Sequence, residues 1–151
     1  MDHEGQDHPC LWFDGNAEEA VNFYVSIFRT PRVLSVSRYG EAGPGEPGTV
    51  MVMMFEPEGQ GFMALNGGTE SEFAEAISLV VDCETQAEVD ALWAKLTAGG
   101  QEVQCGWLKD RFGLSWQITP RILGELMMDE DPKRAARVKQ CSGWSRSTSR
   151  L

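Results

Sequence analysis

Apolar and polar positions alternate along this chain in short runs that predict strands and helices, and a strand-helix-strands pattern is laid down twice. Residues 9–13 form a short apolar run that suits a first strand, preceded by a polar stretch at 1–8. Asn16 with Glu19 three positions later is a helix-start signature, and Ala20, Val21, Tyr24, Ile27 and Phe28 then recur at helical spacing until Pro31 stops the run. In residues 32–39, Leu34 and Val36 alternate with Ser35 and Ser37, the period of a half-buried strand. Residues 40–48, GEAGPGEPG, form a Gly/Pro turn that regular structure cannot occupy. Residues 49–55 read as a nearly continuous apolar strand, and 62–65 as another, ended by Asn66, Gly67 and Gly68.

The pattern then restarts. Ile77, Leu79, Val80 and Val81 mark a strand within residues 75–82. Thr85 and Glu88 form a T-x-x-E capping box ahead of Val89, Leu92, Trp93 and Leu96, one face of a helix that Gly99 and Gly100 end. Strands near 102–105 and over 114–119 flank a Gly-containing turn, Pro120 opens a helix carrying Ile122, Leu123, Leu126 and Met127, and Asp131-Pro132 opens another. Setting Phe13-Asp14 on Val81-Asp82 places Val21 on Val89 and Phe28 on Leu96, a constant offset of 68. The predicted class is α+β: two βαβββ modules whose strands curl into mixed sheets, followed by a C-terminal helix. One domain is expected over 9–139, with modules at 9–68 and 75–119 and helices within 120–139; tails at 1–8 and 140–151 are expected to be disordered. A Rossmann fold is excluded, because there helices alternate with single strands.

Composition narrows the partners. The net charge of −10 opposes nucleic acid, whose binding requires Lys and Arg to neutralise phosphates. The longest apolar run, 49–55, is far short of the roughly 20 residues needed to span a membrane. No basic segment followed by an apolar one opens the chain, and the four Cys are scattered, which favours reduced thiols. The expectation is a cytoplasmic protein with a small-molecule partner, no nucleic acid and no membrane.

Candidate chemistry gathers in residues 104–118, QCGWLKDRFGLSWQI, where two Trp, a Cys and a Lys-Asp pair surround one turn. Such a stretch is either dense core or the wall of a pocket. Cys105, near Lys109 in sequence, is either a reactive thiol or a small buried one. Lys109, Asp110 and Arg111 either orient an anionic or enolic ligand or form a wet turn. Gln117 alternates with Trp116, so the two face opposite ways, and a Gln directed into an apolar cup needs a hydrogen-bond partner. Trp12, Met53, Met63, Trp107 and Trp116 are candidates for the lining of that cup, with core packing as the other reading. Glu75, just ahead of a strand, is a candidate base; Glu18 and Glu19 sit in a helix's first turn, where the dipole accounts for them.

The strand-FDGNAEEA-helix unit closing in FY, followed by LNGG, resembles the vicinal oxygen chelate (glyoxalase/bleomycin-resistance) superfamily. Residues 10–24 (CLWFDGNAEEAVNFY), 63–68 (MALNGG), 76–81 (AISLVV) and 105–118 (CGWLKDRFGLSWQI) resemble its PhnB-like subgroup, also called the 3-demethylubiquinone-9 3-methyltransferase family. The resemblance covers about 9–138, and residues from Gln140 onward depart from it. It implies a homodimer of paired βαβββ modules with a cup in each curled sheet. Chelating members draw His, Glu or Gln from the first and last strands of the modules; the corresponding positions here are Pro9, Ala64, Ala76 and Gln117. Only Gln117 can ligate, so neither a metal nor another cofactor is expected. The function expected from these readings is metal-independent binding of a small hydrophobic or cationic molecule in a dimer cup. Two alternatives stand beside it. One is a lyase or isomerase acting on a carbonyl or enediol compound, with Gln117, Cys105 and Glu75 as its catalytic residues. The other is the 3-demethylubiquinone 3-O-methyltransferase activity of the family label, opposed by the lack of a Gly-rich loop between a strand and a helix.

Overall fold

Strand alternation sorts every side chain of a sheet onto one of two faces, and in the computed structural model each sheet buries one face under a helix. Residues 7–104, 106–128 and 130–133 are described. The chain divides into two compact units, Met1–Glu72 and Phe73–Leu151.

The first unit runs β1 (Cys10–Phe13), α1 (Ala17–Ile27), β2 (Arg32–Arg38), β3 (Val50–Glu56) and β4 (Phe62–Asn66). The sheet order is β1-β4-β3-β2, with β1 parallel to β4 and the other pairs antiparallel. The registers Leu11↔Ala64↔Met53 and Phe62↔Phe55 put these side chains on one face with Phe13. All are buried together with Ala17, Ala20, Val21 and Tyr24 of α1. Tyr24 stacks on Phe55 at 6.2 Å between centroids, and Phe55 on Phe62 at 5.6 Å. The opposite, open face carries Cys10, Trp12, Met54, Met63 and Leu65.

The second unit repeats the plan: β5 (Ser78–Cys83), α2 (Gln86–Thr97), β6 (Gln101–Glu102), β7 (Trp107–Lys109) and β8 (Ser115–Pro120), followed by α3 (Arg121–Met127). Its order, β5-β8-β7-β6, is the same permutation, and β5 is parallel to β8. Leu108, Leu114, Trp116 and Ile118 are buried with Val89, Trp93 and Leu96 of α2. Thus the doubled βαβββ plan expected from the sequence is the fold, with mixed sheets and a C-terminal helix.

Details differ from the sequence-based expectation. β2 is exposed along its whole length rather than half-buried, leaving Val33, Leu34 and Val36 open. It is the outermost strand of its sheet, and its register slips between Val33 and Ser35 and again between Ser37 and Arg38. Such irregularities re-aim side chains and blunt an edge. The strand expected from residue 75 begins at Ser78, the one expected near 102–105 is only Gln101–Glu102, and Pro120 ends β8 instead of opening α3. The Lys133 N–H donates to Asp131 Oδ1 (2.9 Å), where the second C-terminal helix was expected to start. The rest of that helix, the tail at 140–151 and residues 1–6 lie outside the described residues. Among the described residues no helix is long and apolar enough to cross a membrane.

Candidate functional site

Gln117 stands at the middle of the second unit's open face. Alternation along β8 sends Ser115, Gln117 and Thr119 to one side and Trp116 and Ile118 to the other. The registers Ser78↔Ser115↔Lys109 and Val80↔Gln117↔Trp107 extend that open face across three strands. Gln117 Nε2 donates to Ser78 Oγ at 2.8 Å. The amide therefore has a partner within its own sheet.

Beside it lies a pocket of about 370 Å³ lined by Val103, Gln104, Trp107 and Leu108, with Lys109, Ser115 and Glu75 supplying polar groups. Lys109 Nζ lies 2.7 Å from Glu75 Oε1. The hydrogen bond from Lys109, and then its charge, hold the Glu75 carboxyl below its ordinary pKa. A carboxylate so stabilised in its charged form is a weaker base than a free one, which counts against Glu75 as the general base.

Two expected lining residues, Trp116 and Met53, and the expected ligand-orienting Asp110 sit elsewhere. Trp116 is 2% exposed on the helix-covered side, and its indole N–H donates to Asp110 Oδ2 at 2.8 Å. Asp110 is 3% exposed, and its Oδ1 accepts the Phe112 and Leu114 N–H groups at 2.9 and 3.1 Å. The Lys-Asp-Arg-Phe-Gly turn is thus fastened from within by Asp110, which accepts N–H donors and has no place in ligand contact. Met53 is buried opposite Ala64 and Leu11, beneath α1. Strand register put Trp116 and Met53 on the core side, and the N–H groups of its own turn and of Trp116 draw Asp110 inward, where the sequence alone allowed either. Cys105 lies outside the described residues.

On the open face of the first sheet, the structure brings Trp12 and Met63 onto adjacent strands. Trp12 Nε1 donates to the Gly68 carbonyl at 3.0 Å, and a Cβ on Gly67 would overlap the Trp12 indole. The Asn-Gly-Gly sequence is therefore a seat for Trp12. Sequence reasoning read Asn66 only as the end of a strand and missed its role. Its Oδ1 accepts the Ala17 N–H at 2.9 Å and its Nδ2 donates to the Val50 carbonyl at 2.8 Å, joining α1, β3 and β4.

The fold class invites a metal, and the donor set does not fit one. Pro9, Ala64 and Ala76 offer no ligating side chain, and Ala64 is wholly buried beneath α1. Among the described residues no three His, Cys, Asp or Glu side chains are grouped to share an ion.

Two four-stranded sheets with one strand permutation, each backed by one helix, define the glyoxalase/bleomycin-resistance class of α+β protein. The fosfomycin resistance protein FosX of Listeria monocytogenes, solved with manganese(II) and sulfate, shares the fold at a TM-score of 0.58 and 14% identity, over 83% of this chain and 96% of that one. The chain belongs to the 3-demethylubiquinone-9 3-methyltransferase family, whose model matches residues 6–119. The PhnB protein of Bacillus cereus is 39% identical with a TM-score of 0.72, over 76% of this chain and 98% of that one. A Pseudomonas aeruginosa protein is 21% identical with a TM-score of 0.63, over 76% and 96%. No curated protein matches the chain.

Proposed function

We propose that the chain binds a small, largely hydrophobic molecule on the open face of the second sheet, without a metal. The supporting observation is the pocket of about 370 Å³ in which apolar Val103 and Trp107 meet a few convergent polar groups, the make-up of a ligand site. Trp107 is the expected contact surface, with Gln117 and Lys109 as orienting groups. A cationic ligand is the weaker form of this reading, since the carboxylate that would receive it, Glu75, is already paired with Lys109. We take the binding unit to be a homodimer. The exposed apolar side chains of β2 support a contact with a second copy, and light scattering at twice the 16.7 kDa chain mass is the expected result.

A thermal-shift screen tests the binding function. At a hundredfold excess over its dissociation constant a ligand adds about 2.7 kcal/mol, which raises Tm by about 5–10 °C in a chain of this size. Stabilisation by neutral aromatic compounds, weakened by Trp107→Ala, is expected. Stabilisation by S-adenosylmethionine alone would replace this reading with the methyl transfer of the family's name.

A further inference from the structure

The two members of the pocket's ion pair are unequal. Lys109 projects from β7, held between β6 and β8 by the registers Gln101↔Lys109 and Lys109↔Ser115. Its backbone is pinned further by Gly100, where a Cβ would overlap the Lys109 carbonyl oxygen. Its side chain is 33% exposed. Glu75 comes from the segment ahead of β5, outside any strand, and its side chain is 68% exposed. One partner is a fixed feature of the pocket; the other reaches in from an irregular segment. Lys109 belongs to the cross-strand row that continues through the buried Ser115, which also lines the pocket. An ammonium group, a neighbouring hydroxyl and an apolar wall of Val103 and Trp107 recognise a molecule with an apolar body and an acidic end.

We propose that Lys109 anchors the carboxylate of an amphipathic ligand in this pocket, and that Glu75 is a built-in surrogate which that carboxylate displaces. The inference rests on the pocket being a binding site and adds the chemistry of the headgroup. Displacement is inexpensive because an exposed ion pair contributes little and the departing Glu75 returns to water. The surrogate also keeps the ammonium paired while the pocket is empty.

Isothermal titration calorimetry with three probes sharing one apolar body tests it: 3-phenylpropionate, 3-phenylpropionamide and (3-phenylpropyl)trimethylammonium. Removing the competitor by Glu75→Gln should tighten phenylpropionate binding about two- to fivefold, the scale of an exposed ion pair, and leave the amide unchanged. Lys109→Met should weaken phenylpropionate at least fivefold, and Lys109→Arg should restore it; an unchanged near-ultraviolet circular dichroism spectrum checks that each variant is folded. Equal or weaker phenylpropionate binding by Glu75→Gln overturns the surrogate role. Preference for the ammonium probe, abolished by Glu75→Gln, overturns the anionic headgroup while leaving the pocket as a binding site. If no probe binds either the native chain or Glu75→Gln, the site reading fails and the inference falls with it.

Discussion

Asn66 and Asp110 do at single positions what neither the helical period nor the turn composition announces. Both amide atoms of Asn66 are committed to backbone groups of other elements. Asn66→Ala strands a part-buried N–H and a part-buried carbonyl, and urea unfolding should show a loss of about 2 kcal/mol. Asn66→Asp keeps the acceptor and loses the donor, so a smaller loss is expected. Asp110→Asn places an amide donor among three N–H donors, and the same measurement should fall by at least about 1 kcal/mol. Glu75 and Glu18 carry a pH signature. Lys109 and Arg38 respectively lower their folded pKa values. Their stabilising effect is therefore complete above the unfolded carboxylate pKa and is lost as pH falls through the lower folded value. Glu75→Gln and Glu18→Gln should each lower Tm slightly at neutral pH and leave it nearly unchanged at the acid end, so that the acid side of a Tm-against-pH curve flattens.

The two helix starts show which elements sequence could specify. The cap of α2 is local: Thr85 Oγ1 accepts the Glu88 N–H at 3.2 Å and Glu88 Oε2 accepts the Glu84 N–H at 2.8 Å. The T-x-x-E signature was legible because every participant lies within five residues. Thr85→Ala should cost about 1 kcal/mol in chemical denaturation. Asn16 carried a comparable signature, yet its side chain makes no capping bond. The acceptor for the Ala17 N–H is Asn66, on a strand no local window includes. Strand faces followed the same division. Alternation correctly opposed Gln117 to Trp116, but only cross-strand register settled that Trp116 and Met53 face a helix while Trp107 and Met63 do not. β2 escaped its expected half-burial because outermost position and register slips are properties of the sheet.

For the chain taken entire, the doubled order of elements was readable from hydrophobic period alone, and the repeated permutation β1-β4-β3-β2 and β5-β8-β7-β6 is its realisation. The candidate site was half legible: Gln117, Lys109, Glu75 and Trp107 fall together around one sheet, whereas Val103 carried no distinguishing signal, and Gln104 and Ser115 stood out only as members of the stretch 104–118. Since the donor set among the described residues fits no metal, dialysis against EDTA should leave both Tm and phenylpropionate affinity unchanged; a fall in either would show an ion that those residues do not account for.

The permutation has a further consequence for how the chain is made. In each unit the earliest strand lies beside the latest, β1 with β4 and β5 with β8. A ribosome delivers strands in order, and contacts between distant segments must await both ends. During synthesis β1 therefore remains without its neighbour until β4 has emerged, and the surface that α1 covers stays incomplete. Each unit's sheet is complete only when its last strand is released, so the apolar face of α1 finds its full cover only after β4 has emerged.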